Sequence, residues 1–437
     1  MKKKSTLFIR RFTTLRMNLE NKKFLAVIAA LISLLLASCK NSGSKPLIIW
    51  TDNAEIVSYV ELFNATHEDI SAFAVYKDEA ARSLPPAKDE LTPDLVVGSW
   101  LKNSATRKYF QPLDYLFQEK SLNRTLFYKQ LLEYGQINDK QYLIPISFNL
   151  PAMIFSKKNE GFVESEHFLN LEQIRTFSTA FNKKNKNGTY TAMGYAPSWD
   201  TDFMYLVTKL YGAAYHEKGT SFIWNEKAME TSISEMRQWT IARNSSTSAE
   251  QNFQFRYLYM PGYKQVATTR CLFSYTTSDK LFTLTDAQIT DLSFRWIEQD
   301  NKIPVEDNIL TIGLYKKSEH SAQAEEFISW FMKTETQQLL IERTEKMKLD
   351  TINFGIAGGF STLREVNEKF YPAFYRHLLG NMPPEQFITL PNILPYRWNS
   401  LKSNVIIPYL KDKTKTENSG AVQSLEERIA EWTKQFY

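Results

Sequence analysis

Cysteine is nearly missing from this chain, with two residues, Cys39 and Cys271, in 437. A disulfide framework is therefore not what holds it together, and zinc sites built from paired CxxC motifs are excluded by count. Histidine is almost as scarce: His67, His167, His216, His320 and His377 are scattered, with no two at metal-ligand spacing. The HExxH, GxSxG, P-loop and dinucleotide GxGxxG patterns are all absent. There is no internal repeat. An excess of one charge is missing too, although the formal net charge is +5. Residues 1–38 hold eight of the 53 Lys and Arg and one of the 48 Asp and Glu, so the remainder carries 45 basic and 47 acidic groups, a net of −2. Such a body has no general electrostatic pull toward nucleic acid or anionic lipid, and no candidate helix carries a run of basic residues.

What is present is a long globular chain. Its 437 residues are enough for two or three domains, and 43% hydrophobic with 23% charged residues is not a disordered composition. At the start, Lys22 and Lys23 precede the apolar or small stretch Phe24–Ser38, which Cys39 closes. Its 14 residues from Phe24 to Ala37 fall short of the ~20 that a bilayer span needs but suit the apolar region of a signal peptide. Leu36-Ala37-Ser38-Cys39 resembles the bacterial lipobox, in which the cysteine is acylated and becomes the first residue. The other reading is a short membrane anchor that ends in cysteine. Residues 1–38 are thus expected to be a lipoprotein signal peptide, with translation starting at Met1 or Met17, and residues 39–46 a lipidated tether. Cys271, in an apolar run, reads as a buried small hydrophobe.

The stretch from Gly135 to Lys158 organises the rest. A polar turn (Asn138, Asp139, Lys140) leads into apolar residues interrupted by Pro145 and Pro151, and then into Ala152–Phe155. Each proline fixes its own φ and pushes its predecessor toward an extended conformation, so the segment is expected to be drawn out and stiff. It reads either as a crossover between two lobes, with Ser147–Asn149 facing a cleft, or as an ordinary buried strand pair.

Before it, Leu47–Trp50, Ala72–Tyr76 and Asp94–Val97 read as strands, and Asp52 or Asn53 is placed to cap a helix with Ile56, Tyr59, Val60 and Phe63 on one face. Strand alternating with helix predicts a parallel sheet with helical crossovers, where ligands sit beyond the carboxyl ends of the strands. Trp50 to Asn53 and Gly98 to Trp100 occupy those ends. Later come predicted helices over 170–182, 203–211, 226–242 and 324–339, strands over 272–275 and 309–314, a glycine-bearing loop at 354–361, and helix from Ser400 with a polar break at 411–420. The lysine-rich turn 182–188 (NKKNKNG) reads as solvated.

The positive chemical signal is aromatic: nine Trp, 22 Tyr and 29 Phe. Trp50, Trp100 and Trp199 lie at predicted strand ends or in loops beside Asp, Asn or Ser. An indole face over the C–H face of a sugar ring, with amides and carboxylates bonding the hydroxyls, is one way to bind carbohydrate. Core packing is the other reading for these three and the expected one for Trp296, Trp330 and Trp432.

Leu47–Trp50, PDLVVG at 93–98, GQINDKQYLIP at 135–145, Ser318–Phe331 and Phe354–Ser361 come in the order seen in family 1 extracellular solute-binding proteins. The chain resembles these sugar-binding lipoproteins of ABC importers, relatives of the maltose-binding protein, from about Lys45 to the C-terminal helices. The resemblance implies an α/β, two-lobed periplasmic-binding-protein fold (type II), with a ligand cleft between lobes joined by crossover hinges. Residues 47–146 and 303–345 would form lobe 1, and 147–302 and 346–437 lobe 2. Trp50, Asp52 and Asn53, with Gly98–Trp100, would wall the cleft on lobe 1. Asn149 would lie near the first crossover. Trp199, Asp200, Tyr275 and the Gly358, Gly359 and Phe360 loop would wall it on lobe 2, with Trp398 a further candidate. Two runs depart from the family pattern: Ile154–Lys158 replaces a Tyr-Asn-Lys-like run, and Ala357-Gly358-Gly359 replaces a Pro-Val-Arg-like one.

The function so implied is a lipid-anchored extracytoplasmic receptor. It would capture a small solute, a sugar or oligosaccharide, by hinge closure and deliver it to the subunits of an ABC permease. It would be a monomer without enzymatic activity, cofactor, metal or nucleic-acid partner, held to a bacterial membrane by the lipid on Cys39. Two alternatives remain at this point: a surface carbohydrate-active enzyme with two cleft carboxylates, and an adhesin-like lipoprotein without a small-molecule ligand.

Overall fold

The computed structural model describes residues 45–118, 121–219, 221–347, 353–417 and 420–435. The leader, Cys39 and all of the tether before Lys45 lie outside the described residues. Residues Pro46–Tyr437 form one unit, and two sheets divide it into lobes.

The first strands are β1 (Leu47–Thr51), β2 (Ala72–Tyr76) and β3 (Leu95–Gly98). Every residue of β1 and β3 is buried, the near-continuous apolar pattern of strands covered on both faces. β1 pairs in parallel with β2 on one side and β3 on the other. Helix α1 (Glu55–Thr66) links β1 to β2 and packs Ile56, Tyr59, Val60 and Phe63 inward. Neither Asp52 nor Asn53 is the cap: the N-cap position is Ala54, without a capping side chain, and Asn53 Oδ1 accepts from the Glu55 amide at 2.9 Å in the turn before the helix.

β4 (Leu143–Phe148) belongs to this sheet, and after only Asn149 and Leu150 the chain enters β5 (Pro151–Ser156) of a second sheet. The segment is the expected crossover. Pro145 is tolerated inside a sheet because the ladder between β4 and its neighbour shifts register beside it.

The second lobe continues with β6 (Phe168–Leu169), helix α2 (Leu171–Phe181), helix α3 (Thr201–Leu210), the hairpin β7 (His216–Lys218) and β8 (Ser221–Ile223), and helix α4 (Glu226–Trp239). Helices α5 (Thr247–Arg256) and α6 (Gly262–Ala267) lead to β9 (Ser274–Thr277) and β10 (Leu292–Ile297). Its sheet runs β9-β5-β10-β6 and is antiparallel except at β10–β6.

A second crossing follows. β11 (Ile303–Pro304) leads through Val305–Ile309 into β12 (Leu310–Leu314), which is antiparallel to both β3 and β4. Helices α7 (Ser321–Phe331) and α8 (Thr334–Met347) cover the first sheet, and Phe327 and Trp330 pack their rings on Phe63 at 5.1 and 5.2 Å. Strand β13 (Phe360–Ser361) returns the chain to the same sheet beside β4. This corrects two expectations. The first sheet, β13-β4-β12-β3-β1-β2, is parallel only over β1–β3. The segment 354–361, assigned from sequence to lobe 2, belongs to lobe 1, because Phe360 and Ser361 pair with Phe148 and Ser147 on β4 and the Ala357 amide donates to Tyr59 on α1.

The chain crosses a third time at β14 (Ile388–Thr389), which pairs in parallel with β11. It ends in lobe 2 with a helical run from Trp398, whose main straight part is α9 (Ile407–Thr414), and with α10 (Leu425–Thr433). The polar break read from sequence at 411–420 begins later than expected, because α9 continues through Thr414. The three crossings are bonded to one another: the Glu306 amide donates to the Asn149 carbonyl, and the Val305 amide to that of Thr389, both at 2.9 Å. Beneath them an aromatic seam joins the lobes, with Phe282 at 4.8 Å from Phe354 and Trp296 at 5.8 Å from Phe360.

Candidate functional site

Where the crossings meet, a cavity of about 260 Å³ opens between the lobes. Asn149 forms its back. Asn149 Nδ2 donates to the Gly358 carbonyl at 2.9 Å, and its Oδ1 accepts from Ser278 Oγ at 2.6 Å. One side chain therefore ties the first crossing to both lobes.

The second crossing supplies Glu306, Asp307 and Asn308, all of which line the cavity. Asp307 Oδ1 takes a 2.7 Å bond from Lys209 Nζ; Oδ2 takes bonds from Tyr205 Oη at 2.6 Å and Trp398 Nε1 at 2.9 Å. Burial works against this carboxylate, but Lys209 and Lys402 and the bonds from Lys209 and Tyr205 outweigh it and hold Asp307 below the ordinary carboxylate range. Glu306 is pushed the other way: burial first, and the charge of Asp307, raise it against the opposing pull of Lys209 and Lys402. Its nearest donor is the Tyr275 hydroxyl at a long 3.4 Å. Lys402 pairs with Asp202 at 2.8 Å and lies 4.4 Å above the Tyr205 ring. Thr277, Asp279 and Lys280, at the carboxyl end of β9, complete the lobe 2 wall.

From lobe 1 comes Trp100. It has φ 63°, a left-handed conformation that costs a bulky residue on the order of 1–3 kcal/mol and that clusters at functional sites. Asn103 holds the turn by donating to the Trp100 carbonyl and accepting from the Ala105 amide. The lobes touch again nearby, where Glu217 on β7 accepts from the Ser104 amide at 2.6 Å and from its hydroxyl at 3.3 Å.

Of the residues singled out from sequence, the structure brings Trp100, Asn149 and Trp398 to this cavity. Tyr275 and Gly358 stand directly behind it, through Glu306 and Asn149. Gly358 has φ 75°, and a Cβ on Gly359 would sit 2.7 Å from the Phe148 carbonyl oxygen, so both glycines are required by the loop. Asn53 braces the same loop, donating to the Ala357 carbonyl at 3.1 Å. The loop is also hung on tyrosines: the Ala357 amide donates to Tyr59 Oη, and the Ile356 amide to Tyr371 Oη, each at 2.8 Å. Glu55 accepts from Tyr59 Oη at 2.8 Å and is pushed up to about 7, chiefly by burial.

The others lie away from the cavity. Trp50 has no exposed surface and is packed beneath Lys77, whose Nζ is 4.1 Å from the ring centre. Asp52 is tucked under Gly98, pushed up to about 6 by burial against the amides of Ala80 and Ser99. Trp199 is stacked on Phe253 and donates to the Glu250 carbonyl at 3.1 Å. Asp200 caps α3 through the amides of Asp202 and Phe203.

Sequence reasoning missed Glu306–Asn308, Asp202, Asp279, Lys280, Asn399 and Lys402. A signal existed for the first three: Glu-Asp-Asn between two apolar runs repeats the polar break of Ser-Phe-Asn at the first crossover. The lysines and Asp202 carry none, since each is one polar residue on a helix. Among the described residues no group of His, Cys, Asp and Glu could hold a metal ion. Cys271 is buried, its thiol pushed up to about 12.

Two lobes, three hydrogen-bonded crossings and a polar cavity between them define the fold of the type II periplasmic binding proteins. The structural neighbours are solute-binding proteins of this architecture. CpMnBP1 with mannotriose bound matches 90% of this chain and all of its own at a TM-score of 0.59 and 15% identity. The cyclic alpha-maltosyl-1,6-maltose binding protein from Arthrobacter globiformis matches 88% of this chain and 97% of its own, with TM-score 0.60 and 12% identity. UgpB from Mycobacterium tuberculosis, in complex with glycerophosphocholine, matches 90% of this chain and 97% of its own, with TM-score 0.55 and 14% identity. No protein-family model and no curated protein matches the chain.

Proposed function

We propose that this chain is an extracytoplasmic solute receptor that captures a small polar solute, a sugar or short oligosaccharide, by closure of its lobes and hands it to an ABC-type permease. One observation carries the reading. Lobe 2 and the hinge supply polar residues (Asn149, Asp279, Lys280, Glu306, Asn308, Lys402) to one cavity that Trp100 lines from lobe 1. A volume of about 260 Å³ lies just below the ~300–1,000 Å³ typical of small-molecule sites and suits a solute of one or two rings.

Closure follows from ligand favouring the closed arrangement over the open one. The convergent polar groups argue against an adhesin with an empty cleft. Asp307 spends both oxygens on Lys209, Tyr205 and Trp398, which argues against a hydrolytic pair of Glu306 and Asp307. The neighbours above are binding proteins. The lipobox-like LASC at 36–39 supports a lipid anchor on Cys39 that keeps the receptor at the membrane.

The test is a thermal-shift panel on residues 40–437 with mono- and oligosaccharides, and with polyol phosphates, amino acids and peptides as controls. A ligand at about a hundred times its dissociation constant adds roughly 2.7 kcal/mol to stability and raises the midpoint visibly. A shift with one sugar class establishes the receptor and its cargo. A shift only with a control class overturns the sugar, and a flat panel overturns the receptor.

A further inference from the structure

The described body carries almost no net charge, yet its basic residues are not evenly spread. Three segments of lobe 2 contain no Asp or Glu at all: residues 173–199, 236–249 and 251–278. The fold gathers them into one surface. Asn182 Nδ2 donates to the Arg243 carbonyl and Lys184 Nζ to Ser245 Oγ, which joins the hairpin of residues 183–192 to the turn after α4. Arg256 donates to the Tyr190 carbonyl at 2.6 Å, which joins that hairpin to the end of α5.

The surface exposes Lys183, Lys184, Lys186, Arg243, Arg256, Lys264 and Arg270. None of the seven makes an ion pair with the described residues. The carboxylates nearest to it are occupied or at its margin. Glu250 is buried on Ser198 and Asn244, Glu417 accepts from the Ser248 amide, and Asp286 lies on the short helix packed against α6.

Among these cations stands an apolar tip. Phe255, Leu258 and Tyr259 are 73%, 59% and 96% exposed, and Ile241 is 46% exposed. Three large side chains within five residues at the end of a helix are left mostly open to solvent. Arg256 reaches back over the Phe253 and Tyr257 rings and so links the tip to the basic surface.

We propose that this face docks on an anionic lipid bilayer. Lys and Arg would draw it to the lipid phosphates, and the aromatic and aliphatic tip would enter the headgroup boundary. Charge complementarity chooses the occupant, because seven exposed cations without an ion-pair partner among the described residues complement an anionic surface. A ring of exposed Phe, Leu and Tyr beside them matches the wet-to-apolar gradient of a membrane interface. The inference is independent of what the cleft binds and of acylation at Cys39. If both readings hold, the lipid and this face would act together, since the effective concentration a short tether gives makes even a weak second contact count.

The test uses residues 40–437, without acyl chain or leader, in flotation with vesicles of phosphatidylcholine alone and with about a third phosphatidylglycerol, at low ionic strength. The expected result is flotation with anionic vesicles only. It weakens steeply as salt shortens the Debye length from roughly 30 Å at 0.01 M to roughly 8 Å at 0.15 M. The combined variant Lys183→Gln, Lys186→Gln, Arg243→Gln and Lys264→Gln, all exposed side chains, should lose at least tenfold in vesicle affinity. Phe255→Ser with Tyr259→Ser should also weaken binding while leaving the salt dependence in place. Unchanged thermal midpoints show that both variants are folded. Equal flotation with neutral vesicles, no flotation with anionic ones, or unaltered binding by the charge variant overturns the proposal. So does concentration-dependent self-association through the tip, seen by sedimentation and removed by the Phe255→Ser variant, in place of vesicle binding.

Discussion

Asp307 is where the hinge is expected to be most sensitive. Asp307→Ala removes the acceptor of three buried donors at once: Lys209 Nζ, Tyr205 Oη and Trp398 Nε1. Lys209 keeps only the Val305 carbonyl, at 2.8 Å, so a buried cation loses its counter-charge. Breaking a buried pair in this way costs about 3–5 kcal/mol, most of it the penalty of the charge left behind. The expected loss is therefore about 4 kcal/mol in urea unfolding at pH 7. If the stranded cation is the cause, Lys209→Met should relieve it, and the double variant should be at least ~2 kcal/mol more stable than the sum of the single effects. The pH dependence has a definite sign. Asp307 is held below its ordinary value, so its contribution is complete above the unfolded value near ~4 and fades as pH falls through the folded one. Wild type and variant should converge in acid. A loss below ~1 kcal/mol, or additivity within ~0.5 kcal/mol, would refute the account.

Glu55 should behave in the opposite sense. Its folded value of about 7 lies above the ordinary 4.5, so its stability contribution is complete below ~4.5 and is lost as pH rises through 7. Glu55→Gln, which can still accept from Tyr59, should be more stable than wild type by up to about 3 kcal/mol at pH 8 and nearly equal at pH 4; a difference that does not vary with pH would rule this out. Glu217→Ala removes the contact with Ser104 between the lobes and should enlarge the radius of gyration of the free protein in small-angle scattering, whereas an unchanged profile would mean that the contact does not hold the lobes together. Gly194→Ala should cost about 1–3 kcal/mol in denaturant unfolding, because its Cβ would lie 2.2 Å from Ser178 Cα on α2; a neutral result would show that this helix can shift.

The sequence by itself determined the local order of this protein. Buried strands such as Leu47–Thr51 announce themselves as unbroken apolar runs, and Pro145 and Pro151 forced the extended crossover that separates the lobes. The helical spacings at Ile56–Phe63 and Ala324–Phe331 fixed which faces turn inward. Trp100 and Asn149 stand at the end and the break of such runs and line the cavity, whereas Trp398, which also lines it, was suggested only by the family resemblance.

Only the tertiary structure decided the rest. Trp50 ends a strand as Trp100 follows one, yet the first is enclosed beneath Lys77 and the second lines the cavity, and the difference lies in what packs above each. The loop at 354–361 went to lobe 1 because Phe360 and Ser361 pair with β4, about two hundred residues away in sequence. The charged floor of Asp202, Lys209, Asp307 and Lys402, and the basic face of lobe 2, are assembled from residues unremarkable in their own segments. Local propensity and periodicity reach only a few neighbours along the chain. Pairing of charges and burial of polar groups depend on long-range contacts, and those exist only once the lobes have formed.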